Sequence, residues 1–372
     1  MGRIARIALP GAALLVALIA LLAALNIGGG ANPPLLGDPG PGVRYGLPLA
    51  KLFVNITAAA LIGSLILALW AFSSTDTTYR KAIDLAASSA FALTISSIAV
   101  GILTFMSVSN TPFSAEPKFG QQLWFFVTSI ALGQAWMWTI GLAAIVTVLC
   151  IAVTNQTALF FVGLVAMGSL VPMALQGHAA GISGHAAAIT SLGLHLVFVS
   201  VWFGGVVSLV LLRKHIAAVR LTAIVSRYST LAIIAFIVVA VSGVANAAIR
   251  LGGWDALFTS GYGQLVLLKV VGMLALGFFG FAQRGYLLRR MATDAARSAF
   301  WWFISIELVV MGAVAGIAAG LARTPTPVSQ ELNPNPTPAE ILTGDKLPPE
   351  LTLERYFTAW NLDLIWLLMC GF

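Results

Sequence analysis

Nine runs of mostly apolar residues, each long enough to cross a lipid bilayer, constrain the fold of this chain more than any other feature. They cover residues 7–27, 47–73, 84–108, 134–153, 157–176, 188–212, 228–249, 263–283 and 300–321. About 20 helical residues span the hydrocarbon core, and a helix satisfies its own backbone hydrogen bonds there. The runs therefore predict an all-α fold, a polytopic transmembrane helical bundle with nine complete spans.

Two further apolar stretches are shorter than a span. Residues 121–133 either lie at the membrane interface or extend the fourth span. Residues 358–372 predict the opening of a truncated tenth span, as if the natural chain continued beyond Phe372.

The charge content agrees with a membrane protein. Only 9% of the residues are charged and 59% are hydrophobic, whereas a soluble globular protein is about 25% charged. The net charge of +7 is explained by basic residues that act as topology signals, so nucleic-acid binding is set aside. Cys150 and Cys370 form no CxxC motif, and a metal site therefore needs other ligands.

The distribution of Lys and Arg predicts the orientation. With the amino terminus in the cytoplasm, twelve of the 20 Lys and Arg residues lie inside and seven outside, and Lys269 lies within a helix. Cytoplasmic loops carry an excess of basic residues. We therefore predict a multi-pass protein of the cytoplasmic membrane, with its N-terminus inside and the loop that carries His178 and His185 outside.

Histidines cluster near one predicted outer mouth of the bundle. His178 and His185 lie in the loop QGHAAGISGHAAA, and His195 lies in the next helix. Imidazole binds Cu, Zn, Fe and Ni, and the thioether of nearby Met173 favours Cu(I). The pattern predicts a copper site formed by His178, His185, His195 and Met173. Because ten helical residues rise ~15 Å, His185 and His195 share an ion only if the loop folds back; otherwise there are two sites.

Each of these residues also has a simpler interpretation. His178 is equally compatible with a solvated loop, His195 with a hydrogen bond between helices, and Met173 with packing. His215, in the cytoplasmic stretch RKHIAAVR, is interpreted as a solvated loop residue. Axial ligation of one haem by His178 and His195 is a further alternative to copper.

Two charged residues lie inside predicted spans, where charges are expensive and usually functional. Lys269 lies about two turns from the outer face and Glu307 about two turns from the inner face. The two should differ in depth by roughly 10 Å, too far for a direct ion pair. They are interpreted as parts of a buried polar path, with neutralisation inside the bundle as the alternative.

Five segments of the chain resemble the copper resistance protein D (CopD) family over about residues 170–327. They are GHA (177–179), HLVFVSVWFGGV (195–206), RYSTLAIIAFIVVAVSG (227–243), YGQLVLLKVVGMLAL (262–276) and IELVVMGAVAGIAAGLARTPTP (306–327). The resemblance implies copper movement at the cytoplasmic membrane, usually import. It maps the family's motif positions onto His178, His195, Trp202, Gly204, Gly205, Arg227, Lys269 and Glu307.

Residues 356–372 resemble the start of a CtaG-type cytochrome oxidase assembly domain. The expected organisation is an N-terminal transmembrane module of unknown role (1–155), a CopD-like domain (156–324), a Pro-rich extracytoplasmic linker (325–355) and this CtaG-like start (356–372).

The predicted function is copper uptake or delivery, with copper as cargo and cytochrome oxidase or its copper chaperones as partners. A b-type haem electron-transfer protein and a non-metal assembly scaffold are the alternatives. No nucleophile and base constellation indicates an enzyme.

Overall fold

The computed structural model describes residues 3–33, 37–175, 185–287 and 293–327, with residues 337, 338 and 352. These residues form helices and contain no strand. In chain order the helices are α1 (Arg3–Ile27), α2 (Pro41–Ile66), α3 (Thr77–Ser109), α4 (Pro117–Ser129), α5 (Ala131–Ala152), α6 (Gln156–Gly168), α7 (Val171–Leu175), α8 (His185–Leu212), α9 (Ala218–Leu251), α10 (Ala256–Thr259), α11 (Gly261–Ala282) and α12 (Asp294–Leu321). Short π-helical turns, Leu67–Ala71 and Gln283–Leu287, follow α2 and α11.

The described residues include nine helical segments that are long and apolar enough to cross a membrane. They are Pro10–Ile27, Pro41–Ala71, Thr77–Ser109, Ala131–Ala152, Gln156–Ala174, Ala188–Leu212, Ala218–Leu251, Gly261–Gly285 and Arg297–Leu321. The predicted all-α polytopic bundle with nine complete spans is therefore confirmed. The predicted tenth span, residues 358–372, lies outside the described residues.

Local sequence signals set several helix ends. The Asn155 side chain accepts hydrogen bonds from the amides of Thr157 and Ala158 at 2.8 and 3.3 Å and caps α6. Ser260 caps α11 in the same way through the Gly263 amide at 3.0 Å. Such caps satisfy amides that lack a partner within the helix. Helix α9 ends at Leu251, and the following Gly252 has a φ of 69°, which suits a residue without a Cβ.

Helix α4 is separate from the fourth span. Extended backbone at Ile130 (φ −103°, ψ 126°) divides it from α5. Its Phe119 and Phe126 pack on Phe105 of α3, with ring centroids 5.2 and 5.6 Å apart. Of the two sequence interpretations, extension of the fourth span is therefore wrong, because the Ile130 backbone breaks the helix.

Two helix pairs pack backbone against backbone. Helix α1 packs on α12, where Gly312, Gly316 and Gly320 face the backbone of α1. Helix α2 packs on α8, where a Cβ on Gly63 would overlap the Gly204 carbonyl carbon and a Cβ on Gly204 would overlap the Ala59 carbonyl oxygen. Small residues allow such close approach where no hydrophobic gain drives association.

These contacts join the first helices of the chain to the later ones. The main core cluster contains buried residues of α2, α3, α5, α6, α8, α9 and α12. Helix α8 contacts α2, α9 and α12, and α11 contacts both α9 and α12. Helices α8, α9, α11 and α12 thus form the group that carries the charged and histidine side chains of the candidate site.

Candidate functional site

His195 is held in a defined orientation between α8 and α9. Its Nδ1 lies 3.2 Å from the Val239 carbonyl oxygen and 3.2 Å from Ser242 Oγ. Gly243 faces the ring, and a Cβ there would lie 3.4 Å from His195 Cε1. Gly243 thus lies in van der Waals range of the imidazole.

These contacts determine the tautomer of His195. A carbonyl oxygen only accepts hydrogen bonds, so Nδ1 must carry the proton and donate to Val239. The Ser242 hydroxyl donates to the Val238 carbonyl at 2.6 Å, so its oxygen can accept from the same Nδ1–H. In a neutral imidazole this leaves the lone pair on Nε2. Metal-bound histidines have the same arrangement, with the second nitrogen fixed by a hydrogen bond.

The surroundings of His195 are basic. Lys269 of α11 lies close enough to His195 for the two groups to interact electrostatically. Arg250, near the end of α9, interacts with Lys269 in the same way and with Tyr262. Asn246, one turn before Arg250, donates a hydrogen bond to Ser191 Oγ at 3.3 Å. Lys269 thus lies within electrostatic range of the imidazole that could bind a metal ion.

Trp202 lies on α8 between His195 and a second group of buried polar side chains, which is centred on Glu307. It lies seven residues after His195 on the same face of α8, about 10 Å along the helix axis. Its ring packs edge-on against Phe236 of α9, with centroids 5.2 Å apart. The Trp202 carbonyl accepts a hydrogen bond from the Tyr228 hydroxyl. Tyr228 in turn covers Gly205, where a Cβ would overlap its ring.

Glu307 is the centre of this second polar group. Its side chain is only 4% exposed, and Oε2 accepts a hydrogen bond from Gln283 Nε2 at 2.8 Å. The carboxylate lines a partly open cavity of about 240 Å³ between α8, α9, α11 and α12. Tyr228 and Trp202 line the same cavity, together with Arg284, whose Nη1 lies 3.4 Å from Ser229 Oγ. The described residues contain no ion pair between Lys269 and Glu307.

The structure describes only some of the four ligands predicted for the copper site. Met173 lies in α7, is half-buried and packs against the main core. His178 lies outside the described residues, and so does the loop around it. Helix α8 begins at His185, so the ten residues to His195 rise ~15 Å. Of the two sequence interpretations, this helix start favours separate sites for His185 and His195, and the ligand set stays a prediction. Among the described residues, no three His, Cys, Asp or Glu side chains converge.

Several site residues were not singled out from the sequence. The Val239 carbonyl, Ser242 and Gln283 act through packing between helices, which the sequence does not reveal. Tyr228 could have been singled out from the sequence, because it is a tyrosine inside an apolar helix and directly follows Arg227. Its contact with Gly205 explains why the second glycine of the WFGG segment must lack a side chain.

The nine candidate spans among the described residues, with histidine, lysine and glutamate side chains inside one four-helix group, define a polytopic membrane protein with polar groups between its helices. Residues 222–321 match the family model of copper resistance protein D, and residues 42–189 match that of the copper resistance protein D-like N-terminal domain. The two matches cover about two thirds of the chain. The chain belongs to the copper resistance protein D family, and its function is a copper-related one in the membrane.

Two curated relatives are similar to this chain. Inner membrane protein YebZ of Escherichia coli (strain K12) is 29% identical over 218 residues, which cover 56% of this chain and 73% of YebZ. Copper transport protein CutJ of Bacillus subtilis (strain 168) is 31% identical over 163 residues, which cover 42% of this chain and 29% of CutJ. The matched region thus spans less than a third of CutJ. No solved structure matches the chain.

The N-terminal match adds to the sequence interpretation, which named no family for residues 1–155. It runs across the predicted boundary at residues 155 and 156. The domain boundaries, the orientation in the membrane and the CtaG-like identity of residues 356–372 stay predictions.

Proposed function

We propose that this protein captures copper at the outer side of the cytoplasmic membrane and passes it inward through the group of α8, α9, α11 and α12, for supply to cytochrome oxidase assembly. The observation that carries the proposal is the fixed tautomer of His195. Its Nδ1 proton is directed to the Val239 carbonyl, and its Nε2 lone pair is thereby available to a metal ion. Family membership makes copper the metal to test first.

Copper would meet His195 second, after an entry site at the predicted outer mouth. Met173, His178 and His185 are the proposed ligands there, because thioether and imidazole suit Cu(I). The start of α8 at His185 supports two successive sites rather than one. Transport through two sites needs each to bind strongly enough for entry and weakly enough for release.

Lys269 would provide that weakening at the second site. A protonated amine beside the imidazole repels a copper ion and so shortens its stay. Coulomb interactions are much stronger inside a bundle than in water. The proposed path then passes the Trp202–Phe236 pair and reaches Glu307, whose carboxylate would attract the cation on the inner side.

One experiment separates binding from movement. Copper affinity of the purified protein and copper uptake into proteoliposomes are measured for wild type, His195→Gln and Glu307→Gln. His195→Gln should lower affinity at least ~10-fold, since even loss of an outer-shell partner has that effect. Glu307→Gln should keep the affinity and lower the uptake. His215→Gln is the matched control, because that histidine lies exposed in the loop between α8 and α9.

Three outcomes would contradict the proposal in whole or in part. Equal losses of affinity in His195→Gln and His215→Gln would mean nonspecific histidine binding. Stoichiometric haem with a Soret band, lost in His195→Gln, would favour the electron-transfer alternative. Unchanged uptake in Glu307→Gln would remove Glu307 from the path.

A further inference from the structure

A second group of basic side chains lies apart from the copper path, where α2, α3 and the end of α12 meet the segment after α1. Arg44 and Lys51 lie seven residues apart on α2 and therefore on the same face of the helix. Arg323, just after α12, interacts electrostatically with Lys51. All three side chains are at least partly buried. We call Arg44, Lys51 and Arg323 the basic cluster.

The basic cluster contains more positive charge than its neighbours neutralise. Arg44 pairs with Asp38 at 3.5 Å and donates from Nη1 to the Ala31 carbonyl at 3.1 Å. Within the part of the chain that the structure describes, neither Lys51 nor Arg323 lies within ion-pair distance of a carboxylate. Arg323 donates only to a neutral hydroxyl, Ser107 Oγ, at 3.0 Å. Buried charges are normally paired, so this arrangement lacks an anion.

An unused donor points to the same conclusion. Arg44 Nε is buried and has no hydrogen-bond partner. A buried donor without a partner is rare in native proteins and calls for an ion, a water molecule or a ligand. Burial also lowers the pKa of the Arg323 guanidinium, as expected for a cation withdrawn from water.

The backbone around the basic cluster is fixed by close packing. A Cβ on Gly28 would overlap Thr324, and a Cβ on Gly30 would lie 3.0 Å from Arg323 Cβ. Thr324 is itself buried and donates to the Gly320 carbonyl at 3.2 Å. The segment that carries Arg323 is thus held against the chain that follows α1. This packing, with the hydrogen bonds of Arg44 and Arg323, fixes the positions of the two guanidinium groups.

We propose that the basic cluster binds a phosphate group, either the head group of an anionic phospholipid or free inorganic phosphate. Arginine presents a planar fork of donors to phosphate oxygens, and lysine contributes a point charge. Arg44 lies in the first turn of α2, and Lys51 can extend its amine along the helix toward that end. If α2 spans the bilayer, its first turn would lie near the lipid phosphates.

The test uses the full chain purified in neutral detergent. Binding is measured by native mass spectrometry, and thermal unfolding is measured alongside. The probes are phosphatidylglycerol, phosphatidylcholine with the same acyl chains, and inorganic phosphate. Phosphatidylglycerol should bind ~10-fold more tightly than phosphatidylcholine, because both lipids carry the phosphate but the basic cluster repels the choline cation of the second. Competition by inorganic phosphate would identify the free anion as the ligand, and its absence the lipid.

Variants distinguish a binding role from a structural one. Lys51→Met and Arg323→Gln should each lose the preference for phosphatidylglycerol, whereas Lys81→Met, at an exposed pair with Asp84, should keep it. Lys51→Met should also unfold at an equal or higher temperature without lipid, because it removes an unpaired buried charge. No preference in wild type, or a preference that survives both substitutions, would overturn the proposal. A Lys51→Met variant that unfolds at a lower temperature but keeps the preference for phosphatidylglycerol would also overturn the proposal.

Discussion

Lys269 and His195 oppose each other at the scale of single residues. The imidazole offers Nε2 to a metal ion, while the neighbouring amine repels cations. On the proposed path, copper would therefore bind His195 against a positive charge. Such weakened binding would suit a transport site, which must release its ion, better than a storage site.

The pair of Lys269 and His195 predicts that one substitution raises copper affinity and lowers copper uptake. Lys269→Met removes the charge and keeps an unbranched side chain, so copper should bind His195 more tightly, on the order of tenfold. Uptake should fall, because the ion leaves more slowly. Isothermal titration and proteoliposome uptake measure the two effects. Lys81→Met, whose charge is exposed on α3, should change neither. Weaker copper binding in Lys269→Met would show that the lysine helps to hold the ion.

At the scale of helices, the glycines of α2 and α8 determine how closely the two halves of the chain approach. A Cβ on Gly204 would overlap the Ala59 carbonyl oxygen. Gly204→Ala should therefore destabilise the protein by about 1–3 kcal/mol, the usual range for overpacking. Thermal unfolding in detergent measures the change. Gly141→Ala on α5, where no atom lies within 4 Å of the added Cβ, should be neutral or stabilising by up to ~1 kcal/mol. Equal effects at both positions would mean that α2 and α8 do not pack as closely as described.

Sequence reasoning predicted the spans well, because the bilayer imposes one simple requirement on each of them. Twenty apolar residues with satisfied backbone groups can be recognised without knowing their neighbours. The partners of His195 could not be recognised in this way. Helix α8 is apolar on every side, so its sequence does not tell which face meets Val239 and Ser242. The break at Ile130 was hidden for a similar reason, since apolar residues continue across it.

At the scale of the whole molecule, the orientation in the membrane decides whether His178 faces a source of copper. The excess of Lys and Arg on one side predicts that it does. A single cysteine in place of Ser183 should react with an impermeant maleimide added from outside intact cells. A cysteine in place of Lys214, in the loop at the other end of α8, should react only after permeabilisation. Both variants also carry Cys370→Ser, and the remaining Cys150 is buried and should contribute little background. The reverse pattern would invert the path and make the protein an exporter.

The final prediction concerns where the copper goes. The Pro-rich linker, residues 325–355, would keep a following module connected and close. If residues 356–372 begin a CtaG-like module, tethering would raise the effective concentration of copper donor near its acceptor, to the mM range for a short connection. Loss of the protein should then lower cytochrome oxidase copper content and activity at limiting copper.

The rescue pattern tests that destination. Added copper should restore the oxidase by mass action, and expression of wild type should restore it without added copper. His195→Gln should fail to do so, while His215→Gln should succeed, because only the first histidine lies in the proposed path. Normal oxidase activity together with altered survival in excess copper would contradict oxidase supply and leave copper resistance as the function. The two outcomes differ because supply limits growth when copper is scarce, whereas resistance matters only when it is abundant.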